Sequence, residues 1–424
     1  MATYGGTSGN DTLTSGAAAD TLNGVDGDDV LFGGGGNDRL FGGDGDDTLQ
    51  GGTGSDSLNG GAGTDTADYS DATSTFSVTL GSTGSGYASG DTLTGIENVI
   101  GGSFSDTITG DGGANIIWGQ AGNDSLYGAS GADTLAGGLG NDRLYGGNED
   151  DVMTGGVGAD SLYGGSGVDT ADYSEASAGV AASLASGTGS AGEAAGDSFT
   201  SVENISGSDW NDTLTGDGNA NRLDGGAGDD DLSGGSGADS LFGGEGDDTL
   251  QGGAGSDWLA GGNGFDMLDY SGSSAPVSAN LGTGAVSSGD AAGDTILGFE
   301  GVIGSAFNDT LTGDSGDNLI QGGAGNDLLT GGGGADTLEG GSGNDTVDFS
   351  GTAAALVVDL SEGSVSGGDA TGTVLSGVEV ILGTAQADQI TGARGPTRSA
   401  AMPGPIRSGA VRATMCCSAA TATM

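Results

Sequence analysis

Lysine and histidine are absent from this 424-residue chain, whose only cationic side chains are 7 arginines. Schiff-base lysines, histidine general bases and imidazole zinc ligands are therefore excluded. Proline occurs 4 times and aromatics make up 5%. The 2 cysteines, Cys416 and Cys417, are adjacent and give no disulfide framework. No apolar run approaches the ~20 residues that span a bilayer. The first ten residues carry neither a basic region nor an apolar stretch, so no cleavable signal peptide is expected there.

What fills the space is acid and glycine. There are 60 acidic residues, a net charge of −53, and 98 glycines. Such charge repels nucleic acid and anionic membranes and invites cations. High charge with low hydrophobicity commonly means disorder. A regular apolar column argues otherwise here, because a disordered chain needs no register.

That column belongs to a nine-residue unit, Gly-Gly-x-Gly-x-Asp-x-Leu-x, seen twice in succession at 33–50 as GGGGNDRLF and GGDGDDTLQ. The eighth position is apolar in all 28 units. Nine residues fit neither a helical nor a simple strand period. They fit a turn followed by a short strand, with glycine supplying backbone angles that a Cβ resists. Two units facing each other make a coil of 18 residues, and coils stack by parallel pairing at about 4.8 Å. The expected fold is all-β: a parallel solenoid of stacked coils in several blocks separated by β-containing spacers.

The blocks are expected at 1–68 (seven repeats), 101–172 (eight), 207–269 (seven) and 304–348 (five), with a single repeat at 383–391. The spacers at 69–100, 173–206, 270–303 and 349–382 are themselves related. Each opens on Tyr-Ser or Phe-Ser and closes around Glu97, Glu203, Glu300 or Glu379. Asp91, Asp197 and Asp294 recur six residues before the Glu, where the fourth spacer has Thr373. They read as caps and couplers, with ligand binding by the glutamates as the alternative. The first units of blocks two to four carry Phe104, Trp210 and Phe307 at the fourth position, and the second units carry Asn115, Asn221 and Asn318 at the sixth. These units are expected to have weak or absent metal sites.

A glycine-rich turn ending in Asp aims backbone carbonyls and one carboxylate at a point, and calcium takes 6–8 hard oxygen ligands in flexible geometry. One unit cannot complete that shell, so the unit 18 residues on must contribute, and binding must be linked to folding. Nineteen units combine Gly at the fourth with Asp at the sixth position. In block one the expected calcium ligands are Asp11, Asp29, Asp38, Asp47, Asp56 and Asp65; in block two, Asp124, Asp133, Asp142, Asp160 and Asp169. In block three they are Asp230, Asp239, Asp248, Asp257 and Asp266; in block four, Asp327, Asp336 and Asp345.

The nonapeptide resembles that of the RTX, or hemolysin-type calcium-binding, repeats, and the likeness covers 6–391. It implies a right-handed parallel β-roll, a calcium-bound solenoid with multiple calcium ions on turn carboxylates and Gly-turn carbonyls. It further implies one-step bacterial secretion through an uncleaved C-terminal signal, with folding outside the cell. Family members often carry a pore-forming, protease, lipase or epimerase region beside the repeats. None is visible here, so an enzyme is not expected.

From Gly392 the character changes: Asp388 is the last acid, and Arg394, Arg398, Arg407 and Arg412 follow. Residues 392–424 read as a disordered tail produced by a frameshift. Regrouping the last base of each codon with the first two of the next forces Val from Met415-Cys416 and Leu from Cys416-Cys417. It permits GGAGDDVLQGGDGDD over 409–424. A secretion signal would then be lost and export with it. The leading functional expectation is a structural or adhesive module of a secreted protein, with calcium ions and cell-surface or matrix polymers as partners. The alternative is the repeat remnant of a secreted RTX enzyme or toxin. An ice-binding role would need a flat outer row of threonines, which the turns supply only in scattered units.

Overall fold

The computed structural model describes residues 1–392 and 398–400. The chain forms two compact units, one of Met1–Ser236 with Ser240–Glu245, the other of Gly237–Asp239 and the chain from Gly246 onward. Among the described residues there is no α-helix, only strands and three single 3₁₀ turns at Gly192–Ala194, Gly289–Ala291 and Gly368–Ala370. The fold is the expected all-β parallel β-roll solenoid.

In the first unit two ladders run side by side, each with an 18-residue register. One stacks Thr3–Gly5, Thr21–Asp26, Arg39–Asp44 and Ser57–Ala62, so that Leu22, Leu40 and Leu58 lie in file. The other stacks Thr12–Thr14, Val30–Phe32, Thr48–Gln50 and Thr66–Asp68, with Leu13, Leu31, Leu49 and Ala67 in file. The eighth position faces inward between the ladders. Leu22, Leu31, Leu40 and Leu49 are fully buried, as are Leu126, Leu135, Leu144 and Met153 further along. The core is thus a thin apolar seam, one side chain per unit.

Each spacer carries one ladder through and exchanges the other. One ladder passes straight through the first spacer, from Thr66–Asp68 to Asn98–Ile100 to Ile116–Trp118. The other finishes on Thr92–Thr94, paired to Ser57–Ala62. A new ladder starts on Phe76–Thr79, paired to Thr107–Thr109 and folded back on Ser85–Gly86. The same exchange recurs within the second unit. There Met267–Asp269, Gly301–Ile303 and Leu319–Gln321 run through, while Ser278–Asn280 starts a ladder on Thr310–Thr312. The spacers act as couplers, with no capping end visible at these junctions.

Within the span expected as a disordered tail, Arg398–Ala400 form a strand in parallel register with Val380–Leu382, again 18 residues apart; the rest of that expectation falls on residues outside those described. An open parallel edge pairs through main-chain groups and accepts a foreign sequence as readily as a repeat. The frameshift reading itself falls on 409–424, outside the described residues.

Candidate metal centre

Each sixth-position Asp sits at the turn leading into its strand, and the stacking places it directly over the Asp of the next coil. Its Oδ1 accepts the main-chain N–H of the Asp 18 residues earlier. Asp29 donates to Asp47 at 2.8 Å, Asp47 to Asp65 at 2.9 Å, Asp124 to Asp142 at 2.7 Å and Asp327 to Asp345 at 2.9 Å. Of the nineteen residues expected from the sequence, all but Asp11 are at most 3% exposed. They line up along the turns in the two ladders and do not gather into carboxylate clusters. Among the described residues no group of three or more acidic or cysteine side chains could hold an ion.

The second carboxylate oxygen is the informative one. Oδ2 is buried and meets no donor in Asp29, Asp38, Asp47, Asp56, Asp65, Asp124, Asp133, Asp142, Asp160, Asp169, Asp257, Asp266, Asp327 and Asp345. Buried polar atoms are rarely left so, and an ionised one costs more. Its neighbourhood makes matters worse. Above Gly42 the Asp47 Oδ2 lies beside the Gly60 carbonyl oxygen, and above Gly119 the Asp124 Oδ2 lies beside that of Gly137. Two oxygen acceptors face one small space with no hydrogen between them. A hard cation is the group that satisfies both, and calcium accepts this mixture of carboxylate and carbonyl.

The electrostatics agree. Burial, before any other cause, pushes the carboxyls of Asp56, Asp124, Asp133 and Asp160 up to about 7. Burial likewise pushes Asp65, Asp327 and Asp336 up to about 6. Without a cation these groups resist ionisation, and stacked neighbours of the same sign add to the effect in most of them.

The second position of the unit separates two kinds of turn. In every unit with such an unmet Oδ2 the second residue is left-handed: Gly34 at φ 81°, Gly43 at 132°, Gly61 at 123°, Gly138 at 103°. Three of these residues are not glycine, namely Val25 at 101°, Gln120 at 75° and Ala129 at 86°. Left-handed geometry costs such residues roughly 1–2 kcal/mol each, and strain of this kind gathers at ligand sites. In a second group of units the second residue is not left-handed and gives its own N–H to the sixth side chain, while Asp336, although expected from the sequence and preceded by a left-handed Gly332, is not among the unmet set. Gly102 donates to Asp106 at 3.1 Å, Ser208 to Asp212 at 2.6 Å, Ser305 to Asp309 at 2.6 Å and Thr384 to Asp388 at 2.8 Å. Asp111, Asp217 and Asp314 do the same for Asn115, Asn221 and Asn318. The asparagines add a donation from Nδ2 to the carbonyls of Glu97, Glu203 and Glu300. These side chains are satisfied by the protein and need no metal.

Two residues stand differently from the sequence reading. Asp11 is only half-buried and its Oδ2 accepts from the Thr7 main chain at 2.5 Å and its hydroxyl at 2.9 Å. Asp151 lies outside the expected set, since Glu149 occupies its fourth position, yet it is buried, its Oδ2 meets no donor, and Gly147 before it has φ 123°. Glu149 itself adopts φ 70°. The signal for both residues lay at the second position rather than the fourth.

The family comparison agrees with this geometry. The chain matches the RTX calcium-binding nonapeptide repeat over residues 5–40, 41–70, 100–135, 136–171, 201–232, 233–268, 302–329 and 312–347, more than half its length. The chain belongs to the RTX calcium-binding repeat family. All the matched segments of this RTX chain are repeats. No curated protein matches it. No helix among the described residues is long and apolar enough to cross a membrane.

Proposed function

We propose that this RTX chain is a calcium-folded structural or adhesive module of a secreted bacterial protein. It binds on the order of 15–20 ions between successive coils. Each ion is held by the Oδ2 of a sixth-position Asp and by turn carbonyls, in the units whose second residue is left-handed. The observation that carries this reading is the row of buried Oδ2 atoms facing carbonyl oxygens with no donor in reach. Calcium supplies the missing positive charge; the chain supplies oxygens in register at each coil.

Sites with few carboxylates belong to the weaker class of calcium modules, those that load in extracellular fluid. That supports a chain that is loose before export and ordered outside. Circular dichroism tests the reading directly: little β signal in chelator, and a strong one in millimolar calcium. Magnesium should fail to substitute because it demands strict octahedral geometry. An identical spectrum with and without calcium overturns the proposal.

A further inference from the structure

The last unit of each block lacks the partner unit that would normally close its site, because a spacer follows. In the ladder that runs through, the spacer supplies a replacement. Asp65 donates its N–H to Glu97 Oε2 at 2.9 Å, in the role an Asp Oδ1 plays elsewhere. Asp169 meets Glu203 at 3.0 Å, Asp266 meets Glu300 at 2.9 Å and Asp345 meets Glu379 at 2.9 Å. The spacer also supplies the carbonyl. Over Gly60, Gly164, Gly261 and Gly340 the oxygens of Gly95, Ser201, Gly298 and Gly377 lie where a first-position Gly carbonyl lies in a regular coil. Each of these residues stands two before its Glu and is left-handed, with φ between 50° and 67°. Ser201 takes that conformation despite its Cβ.

We infer that Glu97, Glu203, Glu300 and Glu379 each close a junction calcium site, in which one ion is shared by the spacer glutamate, the preceding Asp and the spacer carbonyl. This rests on the proposed calcium ladder and extends it to residues outside the nonapeptide. Asp65, Asp169, Asp266 and Asp345 are fully buried, and their Oδ2 atoms point into this space without a donor. Among the described residues neither recorded ion pair, Met1 with Asp20 or Arg222 with Asp224, involves them. Two carboxylates and a carbonyl form an all-oxygen set that suits calcium rather than zinc.

The interrupted ladder shows what a junction without this device looks like. There the spacer presents Asp91, Asp197 and Asp294, whose Oδ2 atoms are taken by the hydroxyls of Tyr69, Tyr173 and Tyr270 at 3.3, 2.7 and 3.0 Å. Over Gly51, Gly155 and Gly252 the nearest atoms all belong to the unit's own Asp, and no spacer carbonyl comes as close. There a tyrosine proton meets the spacer carboxylate, while Asp56, Asp160 and Asp257 keep an Oδ2 without a donor.

The test is calcium stoichiometry by isothermal calorimetry on the full chain. The quadruple variant Glu97→Gln, Glu203→Gln, Glu300→Gln, Glu379→Gln keeps an acceptor for each Asp N–H but removes the charge. It should bind four fewer ions than the parent, and Glu97→Gln alone one fewer. The quartet Asp65→Asn, Asp169→Asn, Asp266→Asn, Asp345→Asn should lose the same four, and the combined eight-fold variant no more than four. An unchanged ion count in the glutamine quartet overturns the inference while leaving the ladder standing. So does a loss of eight in the combined variant, since the two quartets would then hold different ions. A parent chain that binds no calcium overturns ladder and junction together.

Discussion

Gly42→Ala isolates one ladder site from the rest of the coil. Gly42 is not left-handed, so its backbone accepts alanine, but the methyl would stand 2.0 Å from Asp47 Oδ2 and 2.6 Å from the Gly60 carbonyl. The methyl fills the space assigned to the ion. To make room the Asp47 carboxylate must swing away and release the Asp29 N–H, which it holds at 2.8 Å. A hydrogen bond to a charged acceptor is worth about 1.5–3 kcal/mol. A bound ion at ten times its Kd adds about 1.4 kcal/mol. Alanine returns roughly 0.5–1 kcal/mol through its stiffer unfolded chain. The net loss is about 2–4 kcal/mol in calcium.

Coils of a solenoid touch only their neighbours, so the loss stays local. The amides that read it are Thr48, bonded to the Asp29 carbonyl, and Thr66, bonded to the Asp47 carbonyl, each at 2.8 Å. Their hydrogen exchange in calcium should quicken on the order of 30- to 1000-fold, and calorimetry should count one ion fewer. Gly112→Ala is the control: its added methyl meets nothing within 4 Å, and neither readout should move. An unchanged ion count in Gly42→Ala refutes the placement of the ion over the first-position glycine.

Asp151→Asn should cost one calcium ion although its unit breaks the consensus, whereas Asp106→Asn should cost none, because Phe76 and Gly102 already occupy both oxygens of Asp106; calorimetric ion counts separate the two. Val25→Gly relieves about 1–2 kcal/mol of left-handed strain against about 0.5–1 kcal/mol of glycine entropy, so the calcium-bound melting temperature should hold or rise slightly; a clear fall means that the valine side chain carries the site. In chelator, acidification should restore β structure. The carboxyls pushed up to about 6 and about 7 lie above their unfolded values, so their protonated forms favour the fold. That contribution is complete below the ordinary carboxylate range, near ~4, and is lost as pH rises through 6 to 7. A β signal in chelator that stays flat or falls on acidification from pH 8 contradicts the burial argument.

Much of this was legible in the chain itself. The eighth-position apolar column and the 18-residue pairing follow from a nine-residue period, because a turn and a short strand are the structures that nine residues allow. The Asp ladder follows from the same period. Which units present an unmet oxygen was less legible. The fourth-position glycine reads as decisive, but Glu149 takes its place with a left-handed backbone of its own. The second position decides instead, and Val25, Gln120 and Ala129 hide it, since nothing in those residue types advertises a positive φ. The spacers were legible as repeats but not as couplers. In the first spacer the hairpin at Phe76–Thr79 starts a ladder while Thr92–Thr94 finishes another, and that exchange is a matter of which edge each strand meets, not of composition.

The fourth spacer shows that two departures from the pattern are one. The first three spacers open on Tyr69, Tyr173 and Tyr270 and carry Asp91, Asp197 and Asp294; the fourth opens on Phe349 and carries Thr373. In the first three, the tyrosine hydroxyl is the donor that lets a buried Asp persist without a cation. Removing the hydroxyl while keeping the Asp would leave a charged oxygen unmet in a site with no facing carbonyl to share an ion. Phe349 with Thr373 avoids that, because the lone buried Thr373 hydroxyl without a partner costs less than an ionised carboxylate in the same place. Among the described residues, then, a buried carboxylate oxygen of a turn or spacer meets a turn N–H, a side-chain donor or, in the proposed reading, calcium. In the units of Asp29, Asp47, Asp65, Asp142 and Asp345, whose Oδ2 atoms meet no donor, the left-handed second residue marks the loss of the first way.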